Sequence, residues 1–163
     1  GQAQEWSVTI SVKNMKCEVL DSVQETGTTA SFRSEELIQI DVSKWKKQED
    51  HVFVETVLKL SDGTVLTDTE TLVPYKYVGL ETPAISTTVE EQEDAYLIKV
   101  KTDCFVPFLS LDFKDADAIL EDNFFHITDT EEKIIRVSKK DIRNGSFKNV
   151  QDMKNRLEIL TLK

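Results

Sequence analysis

The chain has 163 residues, 39% hydrophobic and 31% charged, with thirty acidic against twenty basic side chains and a net charge of −10. No apolar run approaches the roughly 18 residues a membrane helix needs, so a membrane partner is not expected. The lysines and arginines are scattered, so the surface should repel nucleic acid. The amino terminus GQAQEWSV has no basic segment leading into an apolar core, which argues against a signal peptide in this stretch. Cys17 and Cys104 lie far apart with no ligand-spaced neighbours. They read as small half-buried hydrophobes in a reducing, cytoplasmic compartment.

From Glu5, apolar Trp6, Val8, Ile10 and Val12 alternate with Ser7, Thr9, Ser11 and Lys13, the period-two signature of a half-buried strand. A short run Cys17 to Leu20 follows. Thr26 to Thr29 reads as turn chemistry ahead of strands at Ala30 to Phe32 and Leu37 to Val42. Val52 to Leu60 is rich in β-branched residues, and Ser61-Asp62-Gly63-Thr64 predicts a tight hairpin with a primed turn, returning along Thr64 to Val73. The segment VPYKYVGLETPAI then places Pro74, Gly79 and Pro83 within ten residues. That composition cannot occupy the middle of a sheet and is read as an extended linker between domains.

A second strand series follows: Ile85 to Val89, then Tyr96, Ile98 and Val100 in alternation, then Val106 to Phe113. Beyond these come the stretch ILEDNFFHI (119–127), Lys133 to Val137 and Leu157 to Leu162. Val150, Met153 and Leu157 stand at helical spacing. Their segment is short and carries Asn149 and Asn155, which tells against a helix. Strands at intervals of about 10 to 15 residues, without a long amphipathic helix, indicate two tandem antiparallel sandwiches, 1–78 and 79–163.

Each candidate for chemistry has an architectural reading beside it. The consecutive pairs Glu35-Glu36, Glu90-Glu91 and Glu131-Glu132 point to opposite faces of a strand and cannot form a catalytic carboxyl pair. Asp112, Asp115, Asp117 and Asp122 could offer oxygen ligands to calcium, yet lack the glycine and terminal glutamate of a helix-loop-helix calcium site; solvated turn acids are favoured. His51 should be exposed. His126 should face away from the core while Phe125 points inward. Trp45, among the cations of SKWKK, is either a sugar-stacking platform or an anchor closing the end of a sandwich, and the anchor is favoured. Tyr75 and Tyr77 form a second possible platform. No catalytic residue, cofactor or metal ligand is assigned.

VPYKYVGLETPAI, AYLIKVKTDCFVPFLSLDF and AILEDNFFHI resemble the carboxy-terminal region of the glycoside hydrolase family 2 β-mannosidases. Val73, Pro74, Leu80 and Pro83 match the family's linker. Val106, Pro107 and Phe108 match a strand step, and Asp122, Asn123, Phe124 and Phe125 match a corner, with Glu121 standing where the family often has Ser. The resemblance implies two immunoglobulin-like domains, the first incomplete at its amino end. It further implies a parent enzyme acting on terminal β-mannosides, whose two catalytic glutamates lie in a barrel outside this sequence. The implied partner is that catalytic domain in the same polypeptide, with homo-oligomerisation left open. The corner is then a structural seam: Asp122 and Asn123 bond back to backbone amides while one aromatic fills the core.

Overall fold

The computed structural model describes residues 3–28, 38–120 and 122–162. It divides into two compact units, residues 1–80 and 81–163. Both are built from antiparallel strands.

In the first unit β1 (Glu5–Asn14), β2 (Val19–Thr28), β3 (Val52–Leu60) and β4 (Val65–Thr71) form one sheet in the order β2-β1-β3-β4. Trp6 and Gly27 face each other across β1 and β2. A Cβ at Gly27 would stand 2.5 Å from Cζ2 of Trp6, so the glycine makes room for the indole. Strand β2 continues through Thr26 to Thr28, where a turn was expected. Residues 38–42 contain no strand, so the expected strand Leu37 to Val42 is corrected there; Ala30 to Phe32 lie outside the described residues. Ile40 and Val42 instead pack as side chains against Val12, Trp45 and Val52.

The β3–β4 hairpin closes with Leu60 N donating to Thr64 O at 2.9 Å, leaving Ser61, Asp62 and Gly63 as the loop. Only Gly63 of these has positive φ, at 91°, so the turn is a three-residue loop ending on a left-handed glycine and not the primed two-residue turn. Asp62 Oδ1 fixes it by accepting from Thr64 N at 2.8 Å. The proline segment is not extended throughout either. Tyr75–Tyr77 form a 3₁₀ turn after Pro74, and Gly79 N is held by Asp50 O at 2.7 Å.

The alternation in β1 is right about its apolar face and incomplete about the other. Ser11 and Lys13 are both buried. Lys13 Nζ meets Glu55 Oε1 at 2.9 Å with both side chains about one-tenth exposed, and Ser11 Oγ lies 3.2 Å from Ser22 Oγ. A period-two pattern cannot show that its polar positions will be covered.

In the second unit β5 (Ile85–Glu91), β6 (Ala95–Thr102) and β10 (Lys133–Ser138) form a sheet ordered β10-β6-β5. It faces a second sheet, β12-β7-β9, made of β12 (Leu157–Leu160), β7 (Val106–Phe113) and β9 (Phe125–Ile127). The short strands β8 (Asp117–Ala118) and β11 (Ile142–Arg143) make a separate ribbon. Inward residues of both sheets, including Ile98, Val100, Ile135, Leu109, Leu111 and Phe125, share one core. Each such side chain contributes about 1.5–3 kcal/mol by leaving water.

A helix, α1 (Val150–Arg156), drives Met153 into that core. The expectation of no helix here is therefore corrected. Asn149, which told against it, is its N-cap: Oδ1 accepts from Asp152 N at 2.9 Å, an arrangement that stabilises a helix start by about 1 kcal/mol.

The buried ion pair gives a test. Lys13→Ala should lower the unfolding free energy by about 3–5 kcal/mol because it leaves the Glu55 carboxylate buried alone, whereas Lys13→Met combined with Glu55→Leu should recover most of that loss in urea denaturation. A single variant as mild as a surface substitution would show that the pair is not desolvated.

Candidate functional site

Asn123 to Ile127 of ILEDNFFHI gather at the edge of β7, and their geometry follows from a mismatch in length. Strand β7 has eight residues and its partner β9 only three. The ladder pairs Val106 with Ile127 and Leu109 with Phe125, so one extra residue bulges out of β7 between them. Pro107, without an N–H, sits in that bulge, one of the few places a proline is tolerated inside a sheet. Phe108 takes a left-handed φ of 52°.

The Phe108 N–H donates to Nδ1 of His126 at 3.3 Å. The imidazole is therefore the acceptor on that nitrogen and carries its proton on Nε2. The same ring meets Phe108 edge-on at 4.6 Å between centroids and lies stacked 6.4 Å from Phe105. Phe125 is buried and His126 half-buried on the opposite face, as the alternation requires.

Two residues before β9 the same device recurs. Asn123 Oδ1 accepts from Leu111 N at 2.9 Å and its Nδ2 donates to Leu111 O at 3.2 Å, so one carboxamide stands in for a strand residue. Oδ1 also accepts from Phe124 N at 3.1 Å, which holds Phe124 at φ 57° with its ring 69% exposed. Asp122 does something else: it pairs with Lys133 Nζ at 3.0 Å, and that ammonium lies over the Phe125 ring. The expectation that both Asp122 and Asn123 bond to backbone amides is half corrected.

The other acids go to separate partners. Asp112 accepts from the Phe113 amide, and Asp117 accepts from Asn144 Nδ2 at 2.6 Å. Among the described residues no three His, Cys, Asp or Glu side chains come together as a metal site. Glu90 and Glu91 point apart, Glu90 to Lys99 and Glu91 to Lys139 at 2.8 Å. Those carboxylates push both ammonium groups above the ordinary lysine range, chiefly through the hydrogen bonds.

Trp45 is 8% exposed, packed on Val12 and Val52 under a cation from Lys44, and so closes the sheet instead of offering a platform. Tyr77 is exposed beside Lys76, while Tyr75 is half-buried, its hydroxyl pushed up by burial and by Asp68. His51 is exposed and pairs with Asp50 at 2.8 Å. Cys17 and Cys104 are not joined in a disulfide, and Cys104 is fully buried.

Sequence reading missed Arg156. Its guanidinium donates to the carbonyls of Lys114 at 2.8 Å, Ser146 at 3.0 Å and Asp115 at 2.6 Å, and it lies over the Phe147 ring. It also stands 3.5 Å from Asp152, whose carboxyl is held below its usual range chiefly by the Lys148 amide and then by this guanidinium. An arginine in the last turn of a short helix gives no hint in sequence that it will clamp three distant carbonyls.

Among the described residues of this corner, Asn123 and His126 are engaged with backbone and Asp122 with an opposite charge, a geometry suited to holding a sandwich together. The family of mannosidase Ig-fold domains matches residues 80–163, and the mannosidase Ig/CBM-like domain family matches residues 1–77. The chain belongs to the mannosidase Ig-fold family. Among solved structures it is similar to a β-D-mannosidase from Dictyoglomus thermophilum, with a TM-score of 0.63 and 14% identity over 98% of this chain. The chain spans 19% of that protein's length. No curated protein matches it. The mannosidase Ig-fold reading accords with the all-β, tandem immunoglobulin-like architecture described above.

Asn123→Ala should cost about 1–3 kcal/mol, since both Leu111 backbone groups lose their partner. Asn123→Asp keeps the acceptor and loses the donor at neutral pH. Its deficit relative to the parent should therefore shrink when the carboxyl is protonated in mild acid. Equal deficits at both pH values in thermal unfolding would exclude this role for the carboxamide.

Proposed function

We propose that the chain is the non-catalytic two-domain region of a β-mannosidase-like, family 2 glycoside hydrolase, with its domains meeting near residues 78 and 79. Its work is to pack against and stabilise the catalytic domain of the same polypeptide, in the cytoplasm. The parent enzyme would remove terminal β-mannosyl residues with glutamates that this chain does not carry. The observation that carries the reading is the engagement of the corner: Asn123 and His126, the polar residues best placed for a ligand, both bond to the backbone of β7. The matches to mannosidase Ig domains along both halves support the parentage.

A second reading, a carbohydrate-binding module, is favoured by one feature, the exposed Tyr77 ring next to Lys76. Two measurements separate them. The chain alone should give no turnover of an aryl β-mannoside, and calorimetric titration with manno-oligosaccharides should give no saturable heat. Turnover would overturn the non-catalytic assignment. Saturable heat abolished by Tyr77→Ala would establish the binding module in its place. For the supporting role, adding this chain to the separately expressed barrel region of the parent gene should raise the barrel's unfolding midpoint, and an unchanged midpoint would refute it.

A further inference from the structure

The geometry points to Asn144–Gly145 as a spontaneous deamidation site whose product sets a second carboxylate against Asp117. It is the only Asn-Gly step in the chain. What makes it a site is that the fold demands both residues for reasons unrelated to their reactivity. Asn144 leaves β11 with a left-handed φ of 50°, a conformation asparagine tolerates far better than most side chains. Gly145 follows where a Cβ would stand 2.7 Å from the Asp115 carbonyl oxygen and 3.1 Å from the Ala116 Cβ, so no larger residue fits without displacing the turn. That carbonyl cannot easily retreat, because Arg156 grips it at 2.6 Å. Packing has therefore selected the dipeptide in which the attacking amide is least hindered.

Both residues are exposed. Among the described residues the Gly145 N–H donates no hydrogen bond, so its nitrogen is free of a partner that would hold it back. In the reaction that nitrogen, deprotonated by solvent base, attacks Cγ of Asn144. The C–N bond to the side-chain nitrogen breaks and ammonia leaves, giving a cyclic imide. Water then opens the imide at either carbonyl, yielding aspartate or isoaspartate. The balance is one water consumed and one ammonia released, with no oxidant or cofactor.

The consequence is local. Asn144 Nδ2 now donates to Asp117 Oδ2 at 2.6 Å, and Asp117 pairs with Arg143 across the β8–β11 ribbon. Replacing that donor with a carboxylate turns a hydrogen bond into a like-charge contact, and the isoaspartate form also adds a backbone atom at the end of β11. The ribbon is only two residues long on each side, so the contact lies next to its whole ladder, between the Arg156 clamp and the bond from Ile119 N to Asp141 O.

The 163-residue chain is incubated at 37 °C and mildly alkaline pH, then digested with trypsin at mildly acidic pH. The peptide Asn144 to Lys148 should appear in aspartate and isoaspartate forms ahead of any product at Asn14, Asn123, Asn149 or Asn155. An unchanged peptide, under conditions where the same synthetic peptide reacts, would overturn the site. The charge contact is tested by Asn144→Asp, which should lower the thermal midpoint at neutral pH, and by the same change in an Asp117→Asn background, where the loss should disappear. An equal loss in both backgrounds would refute the contact.

Discussion

An antiparallel sheet cannot leave the backbone of an inner strand unpaired where it is out of reach of water. In the second unit that requirement bears on β7, which lies between β12 and a strand of only three residues. The shortfall is made good by side chains: the His126 ring receives the amide freed by the bulge, and the Asn123 carboxamide meets both groups of Leu111. Once these atoms are engaged, the positive φ values of Phe108 and Phe124 follow, because the chain must turn to present those groups. The inward row of Val106, Leu109, Leu111 and Phe125 then stays in register with the opposite sheet.

The same economy of partners extends to the charges. Thirty carboxylates look like a reservoir of acid-base chemistry, but Asp112, Asp117, Asp122, Glu90 and Glu91 each go to a separate lysine or amide partner. Neighbours in sequence, such as Glu90 and Glu91, are separated by the pleat, each against its own ammonium group. Exposed pairs of this kind add little stability. Their effect is on specificity: they fix which face of a strand is outward, and they keep carboxyls apart that would have to approach within about 5 Å to act together on a glycoside.

The strands with a strong period were legible. Val106 to Phe113 is bounded in the structure as it is in the sequence, and Tyr96, Ile98 and Val100 do point into the core. What failed has identifiable causes. The strand β2 runs through Thr26, Gly27 and Thr28 because the Trp6 ring lies over the glycine, a cross-strand contact invisible in a local window. Residues 38–42 resemble a strand by composition, yet there Ile40 and Val42 contribute apolar packing without a ladder. Asn149 has poor propensity inside a helix, but its position is the cap, where the same side chain is favourable. The covered Lys13 and the clamp by Arg156 depend on long-range partners and had no local signal at all.

The corner also separates residues that the fold specifies narrowly from residues that it does not. At 14% identity a structural likeness speaks for the fold. Residues that satisfy a backbone obligation have few substitutes: a proline at a bulge, an asparagine that can both donate and accept at one peptide unit, a phenylalanine two positions after it to fill the core. Core positions, by contrast, accept almost any apolar side chain of suitable volume. Pro107, Asn123 and Phe125 are among the residues through which the sequence resembles the mannosidase tail, and they are the ones whose atoms the fold specifies most narrowly. The resemblance is consequently informative about architecture and silent about chemistry, since a sandwich built on the same obligations can accompany any catalytic body.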